Sequence, residues 1–281
     1  MVTNKHNLPQ ALVNLVQEKE YQENRYSVTE LLGSIREILL SRRHNKEIEV
    51  EVSDVISALF GSAVHKLLEE ADDENAEIKM EHTRSDGITL VGIADKLSDN
   101  AIEDYKTTSV SKVQKSDFRD WKIQGLAYAW LHFQLTGEIK RKLRFYALMK
   151  DWSKLKAVSI TNYPAYPLFT WEYDIQDSDY DYIEQWINER LAAVKNAESL
   201  SDDNLPECTD EERWYTGTKY AVYKNAGDKR AALVCDTEQE AHDFITNKCD
   251  GAGEIQVRKG EYLKCKYYCK VAKFCNIVKE A

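Results

Sequence analysis

The stretch from Gly92 to Thr108, Gly-Ile-Ala-Asp-Lys-Leu-Ser-Asp-Asn-Ala-Ile-Glu-Asp-Tyr-Lys-Thr-Thr, leaves fewer architectures open than any other part of the chain. Ile88 to Leu97 is rich in β-branched and aliphatic residues, Ser98-Asp99-Asn100 has turn chemistry, and a second arm starts at Ala101, so the pattern predicts a β-hairpin. Side chains alternate along a strand, which puts Asp104 and Lys106 on one side and Glu103 and Tyr105 on the other. Asp95 on the first arm can then meet Asp104 and Lys106 at one edge of a sheet. Two carboxylates that close repel unless a cation lies between them, and hard oxygen donors suit Mg²⁺ or Mn²⁺. A lysine two residues past the second carboxylate can orient an attacking water and offset charge developing on a phosphate. Taken alone, the same residues also describe an exposed hairpin with solvated charges.

Two flanking helices narrow the choice. Val52 to Glu70 reads as a helix, with Gly61, Ser62 and Ala63 small enough for close approach to another backbone and His65 one turn after Gly61. A second helix runs from Phe118 to Phe133. Gln124 and Tyr128 share one of its faces, and Ile123, Leu126, Ala127 and Leu131 supply core contacts. With G-x-x-x-H at Gly61 and His65, D…D-x-K at Asp95, Asp104 and Lys106, and Q-x-x-x-Y at Gln124 and Tyr128, in that order, the chain resembles the PD-(D/E)xK nuclease superfamily. The resemblance is to its RecB-like exonuclease branch, related to AddB-type and CRISPR-adaptation nucleases, and it covers roughly residues 55 to 150.

The resemblance implies an α/β, restriction-endonuclease-like core: a mixed central β-sheet flanked by helices. It implies a metal held by His65, Asp95, Asp104 and the Tyr105 carbonyl, with Asp95, Asp104 and Lys106 catalytic and Gln124 and Tyr128 on the DNA backbone or bracing the site. DNA is the implied partner, with exonucleolytic processing of ends in recombination, repair or phage DNA metabolism as the implied role and a recombinase as a further partner. A structure-specific or site-specific endonuclease with the same metal site, and a DNA-binding scaffold without chemistry, are the rival readings.

Charge is uneven along the chain. The formal net charge is −10, yet from Asp104 to Lys156 there are 12 Lys or Arg against 5 Asp or Glu, as a phosphate-tracking groove requires. From Glu172 to Glu212, 14 acidic residues stand against Arg190 and Lys195, which fits a face turned away from DNA. Arg42, Arg43 and His44 form a smaller basic group that is either wet or on a phosphate. Glu81, on a strand expected over Glu77 to Thr83, is a weak further candidate for the metal, and Ser109 to Asp117 reads as a polar loop able to close over substrate. No apolar run approaches the roughly 20 residues that span a bilayer, and residues 1 to 20 read as a short amphipathic helix rather than a secretion signal, so a cytoplasmic location is the expectation.

The expected organisation is an N-terminal helical segment over 1–50, a nuclease core over 51–200 and a small α+β extension over 207–281, with Leu200 to Pro206 as a linker. The core should end in a strand over Arg144 to Asp151 and a helix over Asp174 to Asn196 carrying Tyr182, Ile183, Trp186, Ile187 and Leu191 inward. In the extension, Tyr220 to Tyr223 and Ala231 to Cys235 should pair around Asn225 to Asp228, followed by a helix over Thr237 to Thr246. All 6 cysteines lie at or beyond Cys208. Cys265, Cys269 and Cys275 resemble the tight C-terminal group that ligates a [4Fe–4S] cluster in many RecB-like nucleases. Their C-x3-C-x5-C spacing departs from the usual C-x2-C-x5-C, and no cysteine precedes the His65 helix, which leaves Cys208 as the best fourth ligand, ahead of Cys235 and Cys249. Zn²⁺, or reduced thiols with no metal, are the alternatives.

Overall fold

The computed structural model describes residues 1–17, 19–71, 76–225, 227–249 and 251–279. It has two compact bodies, Met1–Ser201 and Asp202–Ala281, and the division falls inside the expected linker. The elements of the first body are β1 (Val2–Thr3), α1 (Gln10–Leu15), β2 (Arg25–Ser27), α2 (Val28–Leu31), α3 (Ile35–Arg43), β3 (Val50–Glu51), α4 (Val52–Ala71), β4 (Ala76–Thr83), β5 (Thr89–Leu97), β6 (Ala101–Thr108), α5 (Val110–Lys115), α6 (Arg119–Thr136), β7 (Lys142–Met149), α7 (Lys154–Ser159), β8 (Leu168–Asp174) and α8 (Asp177–Ala197). Among the described residues, no helix is long and apolar enough to cross a membrane.

A mixed central sheet flanked by helices forms the first body. Its strands run β2-β5-β6-β7-β8, with β4 also on β5. β2 lies parallel to β5 and β6 parallel to β7, while β4 with β5, β5 with β6 and β7 with β8 are antiparallel. On β7 the residues alternate, with Leu143, Phe145, Ala147 and Met149 buried, as a strand with one covered face requires. α6 covers that face and is buried from Gln124 to His132. Two glycines set the approach of α6. A Cβ at Gly92 on β5 would lie 2.8 Å from both Leu131 and Tyr128, and one at Gly125 on α6 would lie 2.9 Å from Leu143. Outside α6 lies α8, whose buried Ile183, Ile187, Leu191 and Val194 recur at helical spacing.

Residues 1–50 do not stand apart as a helical segment. β2 is a strand of the central sheet, and buried Tyr26 donates a 2.7 Å hydrogen bond to Glu198, 172 residues further along the chain. Among the described residues of 1–20, only Gln10–Leu15 is helical; α1 buries none of its residues, so no apolar surface extends it. Val2–Thr3 pairs instead with Val50–Glu51. The Ser109 to Asp117 stretch is not a loop but contains α5, because Val110 and Val113 share one face and bury it while the Ser109 side chain caps the first turn. β8 precedes the helix expected from Asp174, with Phe169, Trp171 and Tyr173 half-buried on one side of this edge strand. Tyr182, expected inside, is 48% exposed; the α8 stripe runs through Val194 instead.

The second body holds β9 (Lys219–Tyr223), β10 (Leu233–Cys235), α9 (Glu238–Lys248), β11 (Glu254–Arg258) and α10 (Asn276–Lys279). β9 pairs antiparallel with β10 as the sequence suggests, and also with β11, a short strand not among the expected elements although Glu254-Ile-Gln-Val-Arg258 alternates polar and apolar residues. Ala226 of the expected turn lies outside the described residues. Val222, Cys235, Ala241 and Ile245 form a core between this sheet and α9, and Thr237 caps the helix by accepting from the Glu240 N–H.

The contact between α6 and β5 yields a direct test. Gly92→Ala should cost about 1–3 kcal/mol, since the added methyl meets two packed side chains. Urea unfolding would register this as a lower midpoint at constant slope; an unchanged midpoint would mean that α6 does not sit on β5 as described.

Candidate active site

β5 and β6 form a ladder only at their turn end, where Lys96 faces Glu103 and Leu97 faces Ile102. Beyond it β6 follows β7 in parallel over its whole length, while β5 pairs with β4 and β2. The arms of the hairpin therefore part where Asp95 and Asp104 would have formed the next pair. Asp95 bridges the fork: its Oδ2 accepts the Tyr105 N–H at 2.6 Å, a backbone donor that the ladder no longer uses. Its Oδ1 lies 3.0 Å from His65 Nδ1 on α4. α4 comes close because Gly61 has no side chain; a Cβ there would lie 3.0 Å from Thr107 Oγ1 on β6.

Asp104 points to the α6 face and is 2% exposed. Lys106 Nζ lies 2.6 Å from Asp104 Oδ2, yet that oxygen receives no well-aligned hydrogen bond. Gln124 and Tyr128 are buried beneath the carboxylate: Gln124 Nε2 donates to the Tyr128 hydroxyl at 2.8 Å and lies 3.5 Å from Asp104 Oδ1, the outer limit of a hydrogen bond. Of the two roles expected for this pair, the geometry provides bracing of Asp104; neither side chain is at the surface to meet DNA.

Burial dominates the titration of the site. It pushes the Asp104 carboxyl up to about 6, with Lys106 opposing and the Asp95 charge adding to the rise. His65 is raised in turn, chiefly by its hydrogen bond to Asp95. Tyr128 is raised by burial and then by the negative charge of Asp104.

Among the described residues, no three His, Cys, Asp or Glu side chains are drawn around a common point as a metal site. At the fork His65 is bonded to Asp95 and Asp104 is turned to Lys106. The donors there nevertheless suit a hard divalent cation. A buried carboxylate oxygen is met only by the Lys106 ammonium, without a well-aligned hydrogen bond, a second carboxylate stands opposite, and an imidazole touches that second carboxylate. The cysteines offer less. Cys265 lies in a π-helical turn over Lys264–Tyr268, Cys269 follows it, and Cys275 is buried after a separate 3₁₀ turn. Different local elements thus hold them, and among the described residues neither they nor Cys208 belong to a group of three such donors around one point.

Several sequence expectations change once partners are visible. Glu81 is not at the fork, because Arg25 and Lys79 take its carboxylate. Arg42 and Arg43 are structural: Arg42 binds Glu30 at 2.8 Å and lies over the Tyr26 ring, and Arg43 donates to the Glu198 carbonyl at 2.9 Å. His44 binds Glu47 at 2.9 Å. Glu69 and Glu77, which belong to none of the three motifs, line a small pocket with His65, Asp95 and Tyr105. Glu69 is one helical turn past His65, so helical periodicity points to it. Glu77, at a φ of 49°, carries no sequence signal. Lys140 is buried, where it donates 2.8 Å to the Ser98 carbonyl and 3.1 Å to that of Asp99, pinning the hairpin turn.

No family model matches the chain, and no curated protein matches it. Among solved structures it is similar to SSO0001 at a TM-score of 0.45 and 18% identity, over 62% of this chain and 78% of that one. It is also similar to an alkaline exonuclease from Laribacter hongkongensis at a TM-score of 0.39 and 11% identity, over 62% of this chain and 89% of that one. A phage-related exonuclease from Haemophilus somnus 129PT matches at 0.31 and 12% identity, over 48% of this chain and 67% of that one.

The raised Asp104 carboxyl sets a pH dependence. Below the ordinary aspartate range the group is protonated whether folded or unfolded and imposes no penalty. As pH rises through about 6 the folded chain must ionise a buried carboxyl, so stability falls. Urea midpoints in EDTA should therefore decline between about pH 4 and pH 7, and Asp104→Asn should flatten that decline. At neutral pH, Mg²⁺ should raise the wild-type midpoint and leave that of Asp104→Asn unmoved. An identical pH profile in the mutant would assign the proton to another group.

Proposed function

We propose that this chain is a metal-dependent deoxyribonuclease that hydrolyses phosphodiester bonds at DNA ends, with its active site at the fork between β5 and β6. The single observation that supports this reading most is a buried Asp104 facing Asp95, with Lys106 on the same strand 2.6 Å from the Asp104 carboxylate. Keeping a carboxylate 2% exposed, with its carboxyl raised by burial, is costly, and such raised groups cluster at functional sites.

Asp95, Asp104, the Tyr105 carbonyl and His65 would hold Mg²⁺ or Mn²⁺. The ion would supply Lewis-acid polarisation of the scissile phosphate and offset the clustered carboxylate charge. The chain's own groups account for the rest. Asp95 is fixed by the Tyr105 N–H and His65, and Asp104 is braced by Gln124 and Tyr128, so both carboxylates are placed before substrate arrives. In hydrolysis a water oxygen bonds to phosphorus, the bond from phosphorus to the departing sugar oxygen breaks, and that oxygen takes a proton. The ammonium of Lys106 faces the charge that builds on the phosphoryl oxygens and helps to orient the water. A role in processing ends during recombination, repair or phage DNA metabolism is consistent with such chemistry.

The deciding assay uses end-labelled linear duplex, single-stranded and closed circular DNA with Mg²⁺ or Mn²⁺. Wild type should degrade the linear substrates and spare the circle, EDTA should stop the reaction, and Asp104→Ala or Lys106→Ala should lower the rate by about 10³-fold or more while circular dichroism shows a folded protein. Cutting of the closed circle would make the chain an endonuclease. Wild-type turnover in either mutant would remove the fork from the mechanism.

A further inference from the structure

We propose that the segment between β7 and β8, residues 150–167, is a nucleic-acid-gripping arm: its lysines hold phosphates of a DNA strand while Leu155 and Val158 on α7 press against bases unstacked at the substrate end. The proposal rests on the deoxyribonuclease reading and adds where the strand runs.

Partner assignments across the basic segment carry the first part. Lys106, Lys112, Arg119, Lys122, Arg141, Lys142 and Arg144 all lie in ion pairs, and Lys140 is spent on backbone carbonyls. Half of the pairing acids, Glu172, Asp174, Asp177 and Asp179, come from the acidic stretch that follows. What is left of this segment is concentrated. Among its described residues, the side chains of Lys115, Lys150, Lys154 and Lys156 have no ion pair or hydrogen bond, and all four sit on α5 or the start of the arm. No Asp or Glu stands between Asp151 and Glu172, in a chain whose net charge is −10. Such a local excess of positive charge attracts a polyanion.

Apolar exposure carries the second part. Leu155 is 79% exposed, Val158 82% and Tyr166 75%, the first two interleaved with Lys154 and Lys156 on α7. The arm that displays them is firmly braced. Trp152 Nε1 donates to the Pro164 carbonyl at 2.8 Å, the Ser153 N–H to the Tyr163 hydroxyl at 3.0 Å, and Gln114 of α5 to the Asn162 carbonyl at 3.2 Å. A built platform with unpaired lysines and bare aliphatic tips offers cations for the backbone and wedges of the kind that unstack base steps.

Position joins the arm to the fork. Thr108 of β6 pairs with Met149 of β7, and the Lys150 N–H donates to the Thr108 carbonyl at 3.0 Å. Asp151 Oδ1 then accepts the Val110 N–H at 2.8 Å, fastening the arm to α5. The arm thus leaves the sheet two residues past Lys106, about 7 Å along the strand. A strand whose end lies at Lys106 reaches the start of the arm, at Lys150, within one or two nucleotides.

The test measures binding of the full chain to a short fluorescein-labelled single strand and to a blunt duplex by anisotropy in EDTA across a NaCl series, beside the cleavage assay above. Lys154→Glu with Lys156→Glu should weaken single-strand binding at least tenfold and reduce the single-strand salt slope by about 1.4. Leu155→Ser with Val158→Ser should weaken single-strand binding about tenfold and duplex binding less, since a closed duplex offers few base faces. Leu135→Ser, an exposed apolar residue at the end of α6, is the control for a general loss of surface apolarity. Arm variants that bind and cleave like a DNA-cleaving wild type would overturn the arm and leave the nuclease reading intact. So would serine variants that keep DNA affinity but turn a dimer into a monomer in light scattering, because the apolar tips would then be a contact between copies of this chain. A wild type that neither binds nor cleaves DNA would overturn the nuclease reading and the arm together.

Discussion

An ionisable carboxylate held inside a sheet is the costly arrangement around which the first body is built. Asp104 stands opposite Asp95 where β5 and β6 part, under a helix that lets almost no water in. Burial raises its pKa and the neighbouring carboxylate raises it further, so the surroundings supply compensation from several directions. Lys106 brings a cation from the same strand, Gln124 and Tyr128 bring polar atoms from α6, and His65 engages the opposing carboxylate from α4. Each approach has its own steric condition. Gly92 admits α6 to β5, Gly125 admits it to β7, and Gly61 admits α4 to β6.

The fork is equally a matter of backbone bonding. β6 has two possible neighbours, and it pairs fully with only one of them, β7. The N–H of Tyr105 is thereby released from the hairpin ladder, and the Asp95 side chain takes it. One residue thus satisfies an orphaned backbone donor and supplies a carboxylate to the site, so the chemistry is positioned by the same bond that terminates the pairing.

Electrostatics show why charge counted along a chain misleads. The excess of basic residues from Asp104 to Lys156 and the excess of acidic residues from Glu172 onward look like opposed surfaces. In the fold they face one another: β7 and β8 are antiparallel neighbours, so Arg144 meets Glu172 and Lys142 meets Asp174 across the ladder. Arg144 holds the Glu172 carboxyl below its ordinary range. Long-range charge is largely cancelled by these pairs, and the uncompensated remainder of the basic stretch gathers on α5 and the β7–β8 segment.

Short-range rules make some elements legible in the amino-acid order alone. The alternation over Thr89–Leu97 and Ala101–Thr108, the turn chemistry at Ser98 to Asn100 and the apolar periodicity of α4 and α6 depend on neighbours a few residues away. They place Asp104 and Lys106 on one side of a strand, Asp95 on the neighbouring arm and Gln124 with Tyr128 on one helix face; in the structure Lys106 and Gln124 reach Asp104, while Asp95 bonds His65 and the Tyr105 N–H. The local pattern does not supply each group's partner. Whether Gln124 and Tyr128 meet solvent or Asp104, whether Arg42 and Arg43 are wet or bound to Glu30 and Glu198, and whether residues 1–50 form a separate segment or give a strand to the central sheet depend on contacts across distant parts of the chain. Which side chains share a face is written in the residue order, because strand and helix periods are intrinsic to the backbone. Which faces are dry and which charges are cancelled follows only from the assembled fold, because burial and Coulomb pairing depend on what packs opposite.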